Sequence, residues 1–516
     1  MAADFSKLYY YKPDRGEAMP ETVTADLCVY GATPAGIAAA VQASRMGLTA
    51  VIAEAGDRLG GVTASGLGKT DFGIKRTIGG LARQFYREIG RKYGGEEEDG
   101  AAFLLEPSAA EEIFGRWVDE AGVRVMYRQH LQQVMKVAER ITGLRMENGS
   151  VIRAAMFIDA TYEGDLMAKA GVSYTIGREA NAVYKETLNG IQFGSPNHRF
   201  NAWIDPYAVP GKPDSGLLPG VSDEAPGVQG QGDRSVQAYN FRICLTNVPD
   251  NRLPFPEPPG YDPDRFELLR RYLQAGVWDA MQLNLMLQNG KTDLNNRGAV
   301  STDHIGANHG WPGGDYAARE MIFQDHVRYN MGMLYYLSRD ERVPATIRQE
   351  MSQWGLPADE FTGTANWPHQ LYIREGRRMV SDLVITENHC RHYVSEPDSI
   401  GIASYKMDSH NCRRIVLDGC CVNEGNVETP TAGPYPIPYR AIVPRGDECT
   451  NLLVPVCLSA SHIAYGSLRL EPVFLILGQS AAAAAVLALE KGTSVQEVEY
   501  AALRDRLIAD GQLLHP

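Results

Sequence analysis

Cysteine is scarce in this chain, 8 in 516 residues, and no two stand in C-x-x-C spacing. That argues against a dithiol relay, and the thiols are expected to be reduced and mostly buried. The adjacent Cys420 and Cys421 offer only a strained pair with no second thiol motif behind it. His389, Cys390 and His392 are too few donors for a closed metal site, so no metal is expected. Positive charge is short as well. Lys and Arg total 50 against 63 Asp and Glu, a formal charge of −13. Nucleic-acid binding needs a basic face that releases counterions from phosphate, so no nucleic-acid partner is expected. Uninterrupted apolar runs are also missing. The longest, Val473 to Leu489, is broken by Gly478, Gln479 and Ser480 and reads as a buried helix, not a membrane anchor. The first twenty residues have no continuous apolar core. A cytoplasmic location is therefore the expectation, with a removed secretory leader as the alternative.

What is present begins at Thr22. Thr24 to Tyr30 is a short apolar, β-branched run that reads as a buried strand. It leads into Gly31-Ala32-Thr33-Pro34-Ala35-Gly36, then into a small-residue helix ending at Gly47. Leu48 to Ala53 reads as a second strand, closed by Glu54. This is a βαβ unit of the dinucleotide-binding kind. Gly31 permits the tight turn, and Gly36 permits close packing of helix on sheet. The helix N-terminus offers free N–H groups to a pyrophosphate, and Glu54 is placed to accept from a ribose hydroxyl. One position departs from G-x-G-x-x-G. Thr33 replaces the middle glycine, and its Cβ should hold the backbone away from a pyrophosphate unless the turn relaxes. Pro34 suits a first helical turn, which needs no N–H donor there.

After Glu54 the chain reads Ala55-Gly56-Asp57-Arg58-Leu59-Gly60-Gly61-Val62-Thr63-Ala64-Ser65. Arg58, Gly60, Gly61 and Ser65 fit R-x-G-G-x-x-x-S, which resembles the second FAD signature of glutathione-reductase-like flavoproteins. Val123 to Tyr127, Leu131 to Val137 and Val151 to Ile158 read as further strands. The last of these ends in Asp159-Ala160-Thr161-Tyr162-Glu163-Gly164-Asp165. Asn451 to Val456 reads as a strand, and a helix is expected from Pro472.

With LGGVTASGLGKTDFG, LYIREGRRMV and SASHIAYGSLRLEP, these segments make the chain resemble a bacterial FAD-dependent oxidoreductase family with a GxTPAG fingerprint. The resemblance implies non-covalent FAD and an α/β fold with a Rossmann-like, discontinuous FAD-binding domain. Residues 21–180 and 370–491 are assigned to that domain. Residues 181–369 are expected to form an inserted α+β substrate domain, in which Val236 to Thr246 alternates and reads as a strand and Asp315 to Ser338 reads as a helix, and 492–516 a C-terminal helical extension. The expected cofactor contacts are Gly31, Thr33, Pro34, Ala35 and Gly36 at the first turn. Glu54, Ala55, Arg58, Gly60, Gly61, Thr63 and Ser65 follow from the second motif. Leu131, Ala160, Thr161, Gly164, Asp165, Ser467, Leu468 and Pro472 complete the set.

Flavin oxidation of a C–H bond beside an O–H or N–H needs a base and positioning groups. A base that works near neutrality is most simply a histidine. His462, between the strand after Asn451 and the Pro472 helix, and His410, in a polar turn, are the candidates. His304 and His309 are weaker ones. Arg440, after Tyr435 and Tyr439, is the candidate positioning cation, with Arg374 similar. Tyr435, Trp311 and Trp367 would suit stacking on a sugar. Three readings stay open: oxidation of a CH–OH group (polyol, sugar or glycoside), oxidation of a C=C or C–N bond, and a flavin-holding protein without catalysis. No second glycine fingerprint points to a nicotinamide nucleotide. The partners expected are a small-molecule substrate and an electron acceptor of unknown kind.

Overall fold

Thr22–Tyr30 forms β1, the α-helix α1 spans Pro34–Arg45, and Ala50–Ala53 forms β2. The computed structural model describes residues 4–13, 19–95, 100–284 and 286–515. Four further strands come next: β3 (Arg124–Met126), β4 (Leu131–Val137), β5 (Arg140–Met146) and β6 (Val151–Asp159). They assemble in the order β3-β2-β1-β6-β5-β4, and the short strand Leu452–Leu453 also pairs with β6. β3, β2, β1, β6 and Leu452–Leu453 run parallel, while β5 is antiparallel to both β4 and β6. This is the expected α/β, Rossmann-like sheet.

The strand register brings three loop origins together. Tyr30 lies opposite both Ala53 of β2 and Asp159 of β6. The loops after these strands therefore leave the sheet at one edge, the carboxyl edge where open α/β sheets bind ligands.

Side chains of β1 alternate between two cores, as a strand's period of two requires. Leu27 and Val29 join the larger cluster with α1, while Cys28 and Tyr30 join the smaller one with Leu131, Leu144 and Phe157. Burial on both faces explains why the strand reads as a continuous apolar run. The larger cluster extends through Phe241, Trp311 and Leu334 to the helix Glu471–Lys491. That helix is long and apolar enough to cross a bilayer, yet it is buried along most of its length inside the protein. Its first residue is Glu471, so Pro472 takes the second position.

The structure departs from the expected elements in detail. β5 had no counterpart among the strands read from sequence. Among the described residues, the run expected as a strand from Val236 forms a ladder only over Ile243–Thr246, with Lys291–Leu294, and has a single isolated bridge further upstream, Asn240 to Tyr372. Upstream, buried polar side chains tie the chain to loops instead: Gln237 Nε2 donates to Glu375 (2.9 Å) and Asn240 Nδ2 to Thr302 (3.0 Å). The expected helix at Asp315 to Ser338 is Tyr316–Arg339, with Asp315 accepting from Ala318 N as its N-cap.

Candidate functional site

The turn after β1 is built from residues that tolerate little change. Gly31 has φ +101°, and a Cβ there would sit 2.9 Å from Thr161 Cγ2 and 3.0 Å from the Ala160 carbonyl carbon. A Cβ on Gly36 would collide with the Gly31 carbonyl, and one on Gly478 with that of Ala35. α1 is thereby held against the sheet on one side and the Glu471–Lys491 helix on the other. Thr33 resolves the departure from the glycine pattern. It is the N-cap of α1: its hydroxyl donates to the Ala160 carbonyl (2.7 Å) and accepts from Gly36 N (3.3 Å). Pro34 then occupies the first helical position. Glu54 accepts from Ala32 N and Gly56 N, each at 2.6 Å, and its burial raises its pKa.

A cavity of about 880 Å³ opens at this edge. Of the predicted cofactor residues it is lined by Gly31, Thr33, Glu54, Ala55, Arg58, Gly61 and Thr161. Others stand behind the wall. Pro34, Ala35 and Gly36 belong to the helix turn, and Gly60 (φ +91°) packs against Phe114. Ser65 Oγ accepts from Gln370 N at 2.8 Å. Thr63 and Tyr162 both donate to Glu471, at 3.3 and 2.8 Å, and burial raises that carboxyl to about 7. Leu131 is fully buried and its N–H donates to the Tyr30 hydroxyl (3.1 Å), while its neighbours Gln129 and His130 face the cavity. Ala160 is buried beneath Thr33, and Gly164 (φ +69°) donates to Thr161 Oγ1 at 3.0 Å. Ser467 donates to the Tyr405 carbonyl (2.6 Å), and Leu468 and Pro472 are buried.

Asp165 has a different employment from the expected one and does not line the cavity. Arg319 grips its two oxygens at 2.6 and 2.9 Å, and Arg377 adds a contact at 2.7 Å. Burial alone would raise this carboxyl, but the two guanidinium groups outweigh it and hold it at about 2.

A second cavity, about 650 Å³, lies across the segment Gln370–Tyr372: Gln370 lines the first cavity and Tyr372 the second. Its walls are overwhelmingly polar, with Asn197, Asn201, Gln282, Asn295, Asn296 and Asn426 beside Asp71, Asp408, Tyr405 and Arg469. His410 faces it. The ring is fixed by Nδ1, which lies 2.8 Å from Asp303 Oδ2, and Asp303 is in turn paired with Arg374 at 2.9 Å. An Nδ1–H donated to that carboxylate leaves Nε2 as the free lone pair. Burial first, and the Arg374 cation next, push His410 down to about 3, so the ring is neutral near pH 7. His462 is placed otherwise. It is buried and lines neither cavity, with Nδ1 2.7 Å from Glu375 and Nε2 3.0 Å from Ser409 Oγ. Arg440 is not brought to either cavity. Its side chain is 48% exposed, and the guanidinium pairs with Glu396 and with Asp398 at 3.0 Å.

A family model described as FAD dependent oxidoreductase matches residues 26–507. The chain belongs to the FAD-dependent oxidoreductase family. No curated protein matches its sequence. Among solved structures, the family member is similar to a myxobacterial chondrochloren halogenase, described as a variant of FAD-dependent halogenases. The identity is 18% and the TM-score 0.25, over 30% of this chain and 41% of that one. It is also similar to the L-amino acid deaminase from Proteus vulgaris, at 17% identity and a TM-score of 0.24, over 32% of this chain and 54% of that one. This chain thus covers under two thirds of either structure.

The first cavity fits the family's cofactor. The turn leaves no room for a Cβ at Gly31 or Gly36. Arg58 Nε and His369 Nδ1 are buried without partners, and both residues line the cavity. Burial and the nearby Arg58 cation push His369 down to about 3. Sequence reasoning missed His369, Gln370 and Glu163, and Lys7, Tyr9, Tyr10, Lys12 and Pro13 of the N-terminal segment, all of which face this space. His369 and Gln370 immediately precede the LYIREGRRMV segment, the one available signal. The N-terminal segment carries no motif or period that would have marked it.

Proposed function

We propose that this FAD-dependent oxidoreductase oxidises a CH–OH group of a small polyhydroxylated molecule, such as a polyol, sugar or glycoside. FAD, when bound, supplies the acceptor for the hydride. The observation that carries the reading is His410: a neutral imidazole, oriented through Nδ1 by Asp303, facing a cavity one short segment away from the cofactor cavity. Nε2 accepts the hydroxyl proton as the carbon gives up its hydride, and Asp303 offsets part of the cost of an imidazolium that burial and Arg374 disfavour. The amides and carboxylates of the wall suit a substrate with many hydroxyls, and Tyr372 and Tyr405 stand in the same wall. An external electron acceptor completes the cycle.

The test is anaerobic mixing of the FAD-loaded protein with polyols and sugars, hydroxy acids and amino acids, monitored by the visible flavin absorbance. Bleaching by a polyol or sugar is expected, and His410→Gln should slow it by about 10²- to 10⁴-fold while leaving FAD content unchanged. A folded His410→Gln protein that is reduced at the wild-type rate overturns the assignment. One observation favours oxidation of a C–N or C=C bond instead. Arg469 lines the same cavity; its terminal nitrogens meet Asp408 and the Tyr372 hydroxyl, but its Nε is buried and unpartnered and would donate to a substrate carboxylate. Bleaching by amino acids or saturated acids alone selects that reading.

A further inference from the structure

We propose that the N-terminal segment Lys7–Pro13 is part of the cofactor site: a strap that closes the FAD cavity and supplies it with cationic charge. Lys7, Tyr9, Tyr10, Lys12 and Pro13 line the same cavity as the Gly31 turn. Among the described residues the strap pairs with no strand. It is tied down by a distant element, the helix Tyr316–Arg339. Tyr10 N and Tyr11 N both donate to Glu320 Oε2, at 2.7 and 2.8 Å, and Gln324 Nε2 donates to the Leu8 carbonyl at 2.9 Å.

Aromatic contacts complete the attachment. The Tyr10 ring meets Trp311 edge-on at 4.7 Å, and its hydroxyl donates to Glu163 at 3.2 Å. Tyr11 lies 4.8 Å from the ring of His130, which is itself in the cavity wall. Leu8 is buried in the main core. These contacts fix the segment as a wall rather than a loose tail.

Charge gives the wall a purpose. Among the described residues, four lysine and arginine side chains line the cavity, and two of them, Lys7 and Lys12, come from the strap. The other two, Arg58 and Arg128, face three carboxyls, those of Glu54, Asp57 and Glu163. Without the strap, carboxyls outnumber cations around a cofactor whose diphosphate carries two negative charges. With it, the balance turns in the diphosphate's favour, and because both lysines are exposed at the cavity rim their attraction is screened by salt.

The strap makes two contributions that separate by experiment. As a cover it slows cofactor release, and as a charge source it strengthens binding in a salt-dependent way. FAD dissociation and affinity are read from flavin fluorescence on the full-length protein, with wild-type uptake of FAD as the reference. Glu320→Ala removes the anchor outside the cavity and should speed FAD dissociation about tenfold, with the salt dependence of binding retained. Lys7→Gln with Lys12→Gln should weaken FAD binding about tenfold at low ionic strength and flatten its salt dependence. Both lysines are exposed, so this double variant tests the charge even if Glu320→Ala does not fold. Wild-type FAD affinity, salt dependence and release rate in the folded double variant overturn the charge assignment. An unchanged release rate in folded Glu320→Ala overturns the cover.

Discussion

Thr33 shows how one side chain repairs the motif it interrupts. With glycine at that place the turn would have no cap, whereas the threonine hydroxyl satisfies Gly36 N and the Ala160 carbonyl together. Thr33→Val keeps the shape and deletes both bonds in a buried site. It should cost about 1–2 kcal/mol in urea unfolding of the apoprotein, because the capping N–H loses its acceptor. An unchanged urea midpoint would deny the cap its role. At this scale the sequence was informative where backbone geometry dictates the residue: Gly31 and Gly61 both have positive φ and both line the cavity. It was uninformative where the partner comes from far along the chain. Asp165 sits beside the cofactor loop in sequence, but Arg319 and Arg377 take its oxygens. His410 and His462 look equivalent in sequence. Only the folded chain shows that His462 has both nitrogens occupied while His410 presents Nε2 to a cavity.

Among the elements, the helix Tyr316–Arg339 carries more than packing, since it anchors the strap through Glu320 and the Asp165 network through Arg319. It also buries His326 completely, with Nδ1 2.8 Å from the Ile322 carbonyl. Burial, and then the charge of His304, lower its pKa to about 3. The unfolded chain binds a proton at this side chain near pH ~6.5, well before the folded one does. The contribution of His326 to stability is therefore whole above that pH and is lost progressively as pH falls toward its folded value. Replacing it by Gln should make the fall in melting temperature between pH ~6.5 and ~4 shallower than in the wild type. Parallel curves would show that His326 takes no part in the acid response. The helix itself was legible, because Asp315 caps a long run with apolar residues recurring at helical spacing. β5 was not. Gly143 interrupts its pattern at a point where a Cβ would lie 2.9 Å from the Ile152 carbonyl oxygen, so close approach of the chains, not propensity, demanded the glycine.

For the whole molecule, the cofactor edge depends on segments far apart in the chain. α1 leans on the helix Glu471–Lys491 where Gly478 meets Ala35, and Gln479 accepts from Leu81 N at 2.8 Å and donates to Gln42 at 3.2 Å. A chain stopped after Leu470 should leave the apolar face of α1 bare, and FAD fluorescence titration should detect no uptake. Tight FAD binding by that fragment would show that the early segments make a complete site alone. The same closure sets an order of events during biosynthesis. A ribosome delivers the Gly31 turn early and must add more than four hundred further residues before the helix that covers it emerges. Until then the nascent chain carries an unfinished core, and non-local contacts of this kind form slowly and are exposed to aggregation meanwhile. Flavin loading thus belongs after the Glu471–Lys491 helix has packed onto α1, and until then the half-made site depends on being kept apart from other chains.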